Sequence, residues 1–182
     1  MVKPEDIKWG SYKEYEGPVY WGVQKHTIPT KPTQDEAILG VITTTEGGAY
    51  DAYNGYDKCI CTSGLIQWCD RAPWFLVTQL LGAVATKDVA LVAPVVEFCS
   101  KHGYTFGKTA KGQWRFWNEK ETVETALQQR TLYLGGSSGM KGQWTDAQKA
   151  HAKLWAAACS SVWQDPRARQ VQLEWTMQRL QG

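Results

Sequence analysis

No apolar run in this chain is long enough to cross a bilayer. The longest uncharged stretch, Ala72 to Thr86 between Arg71 and Lys87, falls short of the roughly 18 to 20 residues a span requires. Charge of one sign is also lacking: 20 Lys+Arg against 18 Asp+Glu leave a net +2, which excludes a strong field for gathering nucleic acid or anionic lipid. The first residues, Met-Val-Lys-Pro-Glu-Asp, hold no apolar core of a secretory signal, so synthesis in the cytosol without a signal peptide is expected. Five cysteines, Cys59, Cys61, Cys69, Cys99 and Cys159, are an odd number in a chain long enough to bury a core. A disulfide scaffold is not expected, and the thiols read as reduced and mostly buried. Paired C-x₂-C spacing is missing, which argues against structural zinc. Gly-Lys-Thr at 107–109 lacks the earlier glycine of a phosphate loop, because that position is His102. Neither a cofactor nor a metal is expected.

The chain does have ordinary globular composition over 182 residues, which predicts one domain. Its unusual feature is ten Trp, joined by eight Tyr. Most must pack the core, but flat aromatic faces also serve as platforms for rings.

Residues 1–30 alternate aromatics with Gly and Pro and predict an irregular arm with a short strand near Val19 to Val23. Thr33 with Glu36 is a capping box that opens a helix. Ile38, Val41, Ile42 and Thr45 recur at helical spacing as its apolar stripe, and Gly47-Gly48 ends it, making Glu46 its last side chain. From Ala49 to Trp68 the pattern predicts a hairpin turning at Asn54-Gly55, with Cys59, Cys61 and Ser63 at period two. Ala72 to Ala85 is apolar nearly all round and reads as a buried central helix; Val89 to Lys101 is a second helix that Pro94 kinks or divides. Tyr104 to Trp117 suggests another hairpin or a lid. Asn118 with Glu121 caps a helix to about Leu132, Thr145 with Gln148 caps one to about Trp163, and Pro166 opens the last, ending near Leu180. Lys-Gly-Gln-Trp occurs at 111–114 and 141–144, without the third copy a solenoid would need.

One segment gathers chemistry. Helical geometry puts Glu46 at the edge of the stripe containing Ile38 and Ile42, which predicts a partly desolvated carboxyl. Desolvation and the negative end of a helix dipole both favour the protonated form a general acid needs. The hairpin that follows carries Asp51, Asp57, Thr62, Ser63 and Gln67. A carboxyl facing a second carboxyl or a held water is the machinery of glycoside cleavage.

Thr44-Thr45-Glu46-Gly47-Gly48, the Tyr53, Asn54, Gly55 and Asp57 cluster, and Thr62-Ser63-Gly64-Leu65-Ile66-Gln67-Trp68 resemble, over about 25 residues, the catalytic region of the lysozyme-like superfamily. Glu46 matches that superfamily's catalytic acid and Thr62 the phage-type Thr, while Gly64 to Gln67 matches the Gly-Leu-Met-Gln motif of goose-type lysozymes and lytic transglycosylases, with Ile for Met. Asp57, eleven residues after Glu46 and five before Thr62, departs slightly from the phage-type spacing, so Asp51 competes as second carboxylate. The resemblance implies an α+β, mainly α, lysozyme-like fold, with a small β-hairpin lobe beside a helical lobe built around the buried helix.

It also implies a monomeric peptidoglycan-degrading glycosidase, a bacteriolytic endolysin of phage type, acting on wall glycan strands. Glu46 would protonate the β-1,4 bond between N-acetylmuramic acid and N-acetylglucosamine. Asp57 and Thr62 would hold water or stabilise charge, and Tyr50, Asp51, Tyr53, Ser63, Gln67 and Trp68, with Trp114 and Trp117, would line the groove. Three alternatives compete. A lytic transglycosylase would use Glu46 as acid and then base, a wall-glycan-binding module would not cut, and a cysteine amidase would pair a thiol with His102 or His151.

Overall fold

The computed structural model describes residues 1–12, 15–55, 61–70, 75–119, 121–136 and 144–181. Among these are six α-helices and two antiparallel sheets, an α+β arrangement dominated by helix. No helix among the described residues is long and apolar enough to cross a membrane.

The N-terminal arm is less irregular than its composition predicts. After a short 3-10 turn at Pro4–Asp6, strands β1 (Gly10–Tyr12) and β2 (Tyr15–Tyr20) pair with each other and form one edge of a five-stranded sheet. Helix α1 (Gln34–Glu46) starts at the predicted capping box: the Thr33 hydroxyl accepts from the Glu36 N–H, and the Glu36 carboxylate accepts from the Thr33 N–H at 2.7 Å. It stops at Gly47, whose φ of 92° is left-handed and open to glycine without strain. Thr43, Thr44 and Thr45 fit the last turns because their hydroxyls donate to carbonyls of Gly40 and Ile42.

The predicted face of α1 is not the buried one. Ile38 is 46% and Val41 70% exposed, whereas Leu39 is fully buried and Thr43 nearly so. The helix is docked along the Leu39–Thr43 line, a choice made by its neighbours and invisible to periodicity, since both stripes have helical spacing.

Strands β3 (Tyr53–Asn54), β4 (Thr62–Ser63) and β5 (Trp68–Cys69) complete the sheet, with Tyr53 opposite Ser63 and Thr62 opposite Cys69. Asn54 pairs with Thr62, so Asn54-Gly55 is not the two-residue turn expected of it. Asp57 and Cys59 lie outside the described residues. Cys69 is disulfide-bonded, which corrects the all-reduced expectation; Cys61, Cys99 and Cys159 are free and buried.

Helix α2 (Leu76–Lys87) runs beside α6 (Pro166–Leu180) and beneath a second hairpin, β6 (Thr105–Lys108) and β7 (Trp114–Trp117), which occurs where it was predicted. Pro94 opens α3 (Ala93–Lys101) after a 3-10 turn at Val89–Val92 rather than kinking a longer helix, because a missing N–H is harmless in the first turn. Helix α4 (Ala126–Leu134) is capped by Thr125 with Gln128, not by Asn118, whose side chain instead closes a separate turn onto the Glu121 N–H. Helices α5 (Asp146–Trp163) and α6 have their predicted ends.

The core is largely aromatic. Trp155 on α5, fully buried, meets Phe98, Phe116 and Tyr133 at ring-centroid distances of 5.3, 5.8 and 4.7 Å. Asp70 is buried beside them; its carboxylate accepts from the Tyr133 hydroxyl and from the N–H and hydroxyl of Thr78, fixing the start of α2. Burial pushes its pKa up even so.

Candidate functional site

The candidate site is built where α1 hands the chain to the sheet. The last carbonyls of a helix need donors, and Lys25 supplies one: its ammonium donates to the Gly47 carbonyl at 2.8 Å and to Trp21 O at 3.1 Å. His26 N–H donates to Gly48 O, Tyr50 N–H to Gln24 O, and Lys25 bridges Ala49, so residues 23–26 run beside the exit of α1 as a brace.

Glu46 occupies the last turn. It stands two helical turns after Leu39 and therefore on the docked side of α1, but at that end the packing has stopped and its side chain is exposed. The partly desolvated carboxyl expected from the sequence is corrected here, because the stripe used to place it is not the buried one. Among the described residues Glu46 has no hydrogen-bonded or ionic partner.

Asp51 is the opposite case. It is buried, and its Oδ1 accepts from the N–H groups of Val23 and Gln24 at 2.9 and 2.8 Å, while Oδ2 accepts from the Ser160 hydroxyl at 3.0 Å and the Tyr20 hydroxyl at 3.4 Å. These bonds tie the arm and α5 to the sheet. A substrate-binding or catalytic role for Asp51 would require breaking them, so the carboxylate is structural.

The residues expected to line a sugar groove are mostly interior. Tyr53 is 1% exposed, with Trp9 at 5.9 Å, and burial raises its hydroxyl pKa well above the usual value. Tyr50 is buried with its hydroxyl 2.7 Å from His26 Nδ1. Ser63 is buried and donates to Ala52 O. Trp68 is nearly buried, edge-on to Trp175 on α6 at 4.6 Å. A ligand cannot stack on these rings as they stand, which corrects their assignment as sugar contacts; their aromatic area is used for packing.

Thr62 and Gln67 remain a pair. The Thr62 hydroxyl lies 3.0 Å from Gln67 Oε1 and 3.3 Å from Asn54 O. Gln67 is half-buried and has a φ of 53°, left-handed for a residue with a side chain. Such a conformation costs about 1 kcal/mol or more and persists only where surrounding structure imposes it. Here the tight turn between Ser63 and Trp68 does so, closed by the Gln67 N–H on Gly64 O at 3.1 Å, and Gln172 holds that turn in place. The Gln172 Oε1 accepts from the Leu65 N–H at 2.6 Å and its Nε2 donates to Tyr50 O at 3.2 Å. Gly64 makes room, because a Cβ there would stand 2.8 Å from that oxygen. The Gly-Leu-Ile-Gln segment is thus a turn clamped by α6. Gln172 was missed by sequence reasoning, being 107 residues from Leu65 with no local pattern to mark it.

No hydrogen bond among the described residues joins Glu46 to Thr62 or Gln67. The free thiols do not form a nucleophilic site. Burial raises the pKa of Cys61 and Cys159 far above the usual thiol value and pushes Cys99 up to about 12, which suppresses the thiolate a nucleophile needs. His102 and His151 face each other at 4.7 Å, but each has a ring nitrogen 2.8 Å from a backbone carbonyl, of Phe98 and Leu132 respectively. No three metal-ligating side chains converge among the described residues. No family model, curated protein or solved structure matches this chain.

Proposed function

We propose that the chain is a peptidoglycan-cleaving glycosidase in which Glu46 is the general acid. The observation that carries this reading is the division of labour among the described acids from Glu46 to Asp70: Asp51 and Asp70 are buried and saturated with hydrogen bonds, whereas Glu46 is exposed and uncommitted at a helix end. An acid that must give a proton to a glycosidic oxygen has to be reachable, and it needs a partner that arrives with the substrate. A glycan lying over the α1 exit would supply the desolvation the free protein lacks, raising the carboxyl's proton affinity at the moment of use.

In this mechanism Glu46 protonates the bridging oxygen of a β-1,4 bond between aminosugars as an oxocarbenium-like state develops. The C1–O bond breaks and the leaving sugar departs as an alcohol. In hydrolysis, water attacks C1 and returns its proton to Glu46. The engagement of Asp51 favours a second reading, in which the muramyl C6 hydroxyl attacks C1 and Glu46 takes its proton, giving a 1,6-anhydro end. That lytic transglycosylase route needs no second carboxylate.

The test is clearing of purified peptidoglycan by wild type and Glu46→Gln. Because the side chain is exposed and unpartnered, the variant should fold normally and lose roughly 10²- to 10⁴-fold in rate, as expected for a positioned acid. Mass spectrometry of the products separates anhydro from reducing ends. Equal clearing by both proteins overturns the assignment, and saccharide binding without new ends identifies a binding module instead.

A further inference from the structure

Trp21 is the one exposed aromatic among the described side chains; the others are buried or half-buried. With all its packing in place the residue is still 41% exposed, which leaves roughly 100 Å² of a tryptophan's surface uncovered. A lone exposed apolar side chain needs no explanation by itself. Two things set this one apart: where it stands, and how closely the chain around it is fixed.

Its place is the exit of α1. A Cβ built on Gly47, the residue after Glu46, would stand 3.5 Å from Trp21 Cε3, and one on Gly10 would come within 2.5 Å of Trp21 Nε1. The indole therefore lies against both glycines, and the exposed ring and the exposed acid flank one point. Backbone contacts hold it there from both sides. Tyr20 pairs with Tyr53 in the sheet, and the Lys25 ammonium ties the Trp21 carbonyl at 3.1 Å to the Gly47 carbonyl at 2.8 Å. Gly22 turns the chain with a φ of 72°, so close to the sheet that a Cβ would stand 2.5 Å from Asp51 Oδ1 and 2.8 Å from Ala52 N. Asp51 Oδ1 then collects the N–H groups of Val23 and Gln24. The buried carboxylate thus anchors the turn that follows Trp21. A ring on a fixed backbone avoids part of the ordering entropy that weakens a mobile site.

The surroundings select the ligand. An indole offers a flat apolar face to the C–H groups of a sugar ring, as it does to any ring. Beside it, Glu46 and Lys25 place one charge of each sign, so their fields largely cancel and give no pull on a phosphate strand. Lys25 is spent on two carbonyls, whereas the Glu46 carboxyl is open to ligand hydroxyls. We propose that Trp21 is the sugar platform of the α1 exit, on which one ring of a neutral β-1,4-linked N-acetylhexosamine chain stacks so that the adjoining glycosidic oxygen meets Glu46. The role given to Glu46 rests on the glycosidase reading; the stacking of a saccharide on Trp21 is measured without it. Trp21 takes the place expected of Tyr50, Tyr53 and Trp68, whose rings are interior.

The experiment is calorimetric titration of the Glu46→Gln protein, which leaves the ligand intact, with chitotriose and with a short oligothymidylate. Chitotriose should bind and the oligonucleotide should not. Adding Trp21→Ala should weaken chitotriose by about tenfold, the loss of one stacked ring, and Trp21→Phe in its place should restore most of that affinity. Should Trp21→Ala not fold, the Trp21 indole N–H resonance, identified by its disappearance in Trp21→Phe, should shift as chitotriose is added. No chitotriose binding, affinity unchanged by Trp21→Ala, or an indole resonance that stays put overturns the platform. A loss that Trp21→Phe does not restore makes the ring structural and overturns stacking, and tighter binding of the oligonucleotide overturns the ligand class. Wall clearing undiminished by Glu46→Gln removes the glycosidase reading, while chitotriose binding lost with Trp21 would still uphold the platform.

Discussion

Asp51 and Glu46 are five positions apart and chemically alike, yet they differ in every property that decides a role. Asp51 accepts from two backbone N–H groups and two hydroxyls in the interior, so Asp51→Asn should lower stability by roughly 2 to 4 kcal/mol, the range for breaking a buried charge-assisted network. Thermal unfolding by circular dichroism measures this; activity lost with the melting temperature unchanged would instead make Asp51 a reacting group. At the same scale, Cys61, Cys99 and Cys159 should resist iodoacetamide in the native protein and each gain one adduct in denaturant, as mass spectrometry would read. Rapid native labelling of any of the three would restore the cysteine amidase as a competitor.

At the scale of elements, capping chemistry was legible and packing direction was not. Thr33 with Glu36, Thr145 with Gln148, and Pro166 mark helix starts by satisfying or lacking backbone donors within a few residues. A cap acts locally, so it can be read locally. The face on which α1 is docked depended on neighbours elsewhere in the chain, whereas the Thr125–Gln128 box that caps α4 is as local as the others and differs from the Asn118–Glu121 pair expected to do so. Gly82 shows the same division. A glycine inside a helix is ordinarily improved by alanine by about 0.5 to 1 kcal/mol. Here the added methyl would overlap the Trp114 indole, so Gly82→Ala should destabilise by roughly 1 to 3 kcal/mol through overpacking. A denaturant midpoint that rises would show that the hairpin can lift off α2 without loss.

Across the whole molecule, two histidines make stability depend on pH. His26 and His151 are held below the usual value of 6.5, chiefly by burial, with His102 adding repulsion at His151. A depressed histidine is more readily protonated in the unfolded chain, so the unfolded state binds more protons as pH falls through 6.5, and the native state loses ground there. These two groups therefore pull the melting temperature down between about pH 7 and pH 5, against the opposite pull of Asp70, whose raised pKa makes the folded state the better proton binder, and His151→Gln should remove part of the histidine contribution. A pH dependence of the melting temperature identical in wild type and His151→Gln would sink the assignment. Such an effect belongs to the assembled fold, because His26 takes its burial and its 2.7 Å contact from Tyr50, and His151 its bond from the Leu132 carbonyl.

The amino-acid order alone determined the mainly helical α+β class, the ends of α1, α5 and α6, the second hairpin, and the placing of Glu46 as the last residue of its helix, since each follows from hydrogen bonds closed over a few positions. Only the folded chain decided which acid is exposed, which face of α1 is docked, and that Tyr50, Tyr53 and Trp68 pack into the core. Those outcomes turn on contacts such as Gln172 with Leu65 and Ser160 with Asp51. Their partners lie more than a hundred residues apart, and burial, which sets both the desolvation and the availability of a side chain, exists only once such partners have met.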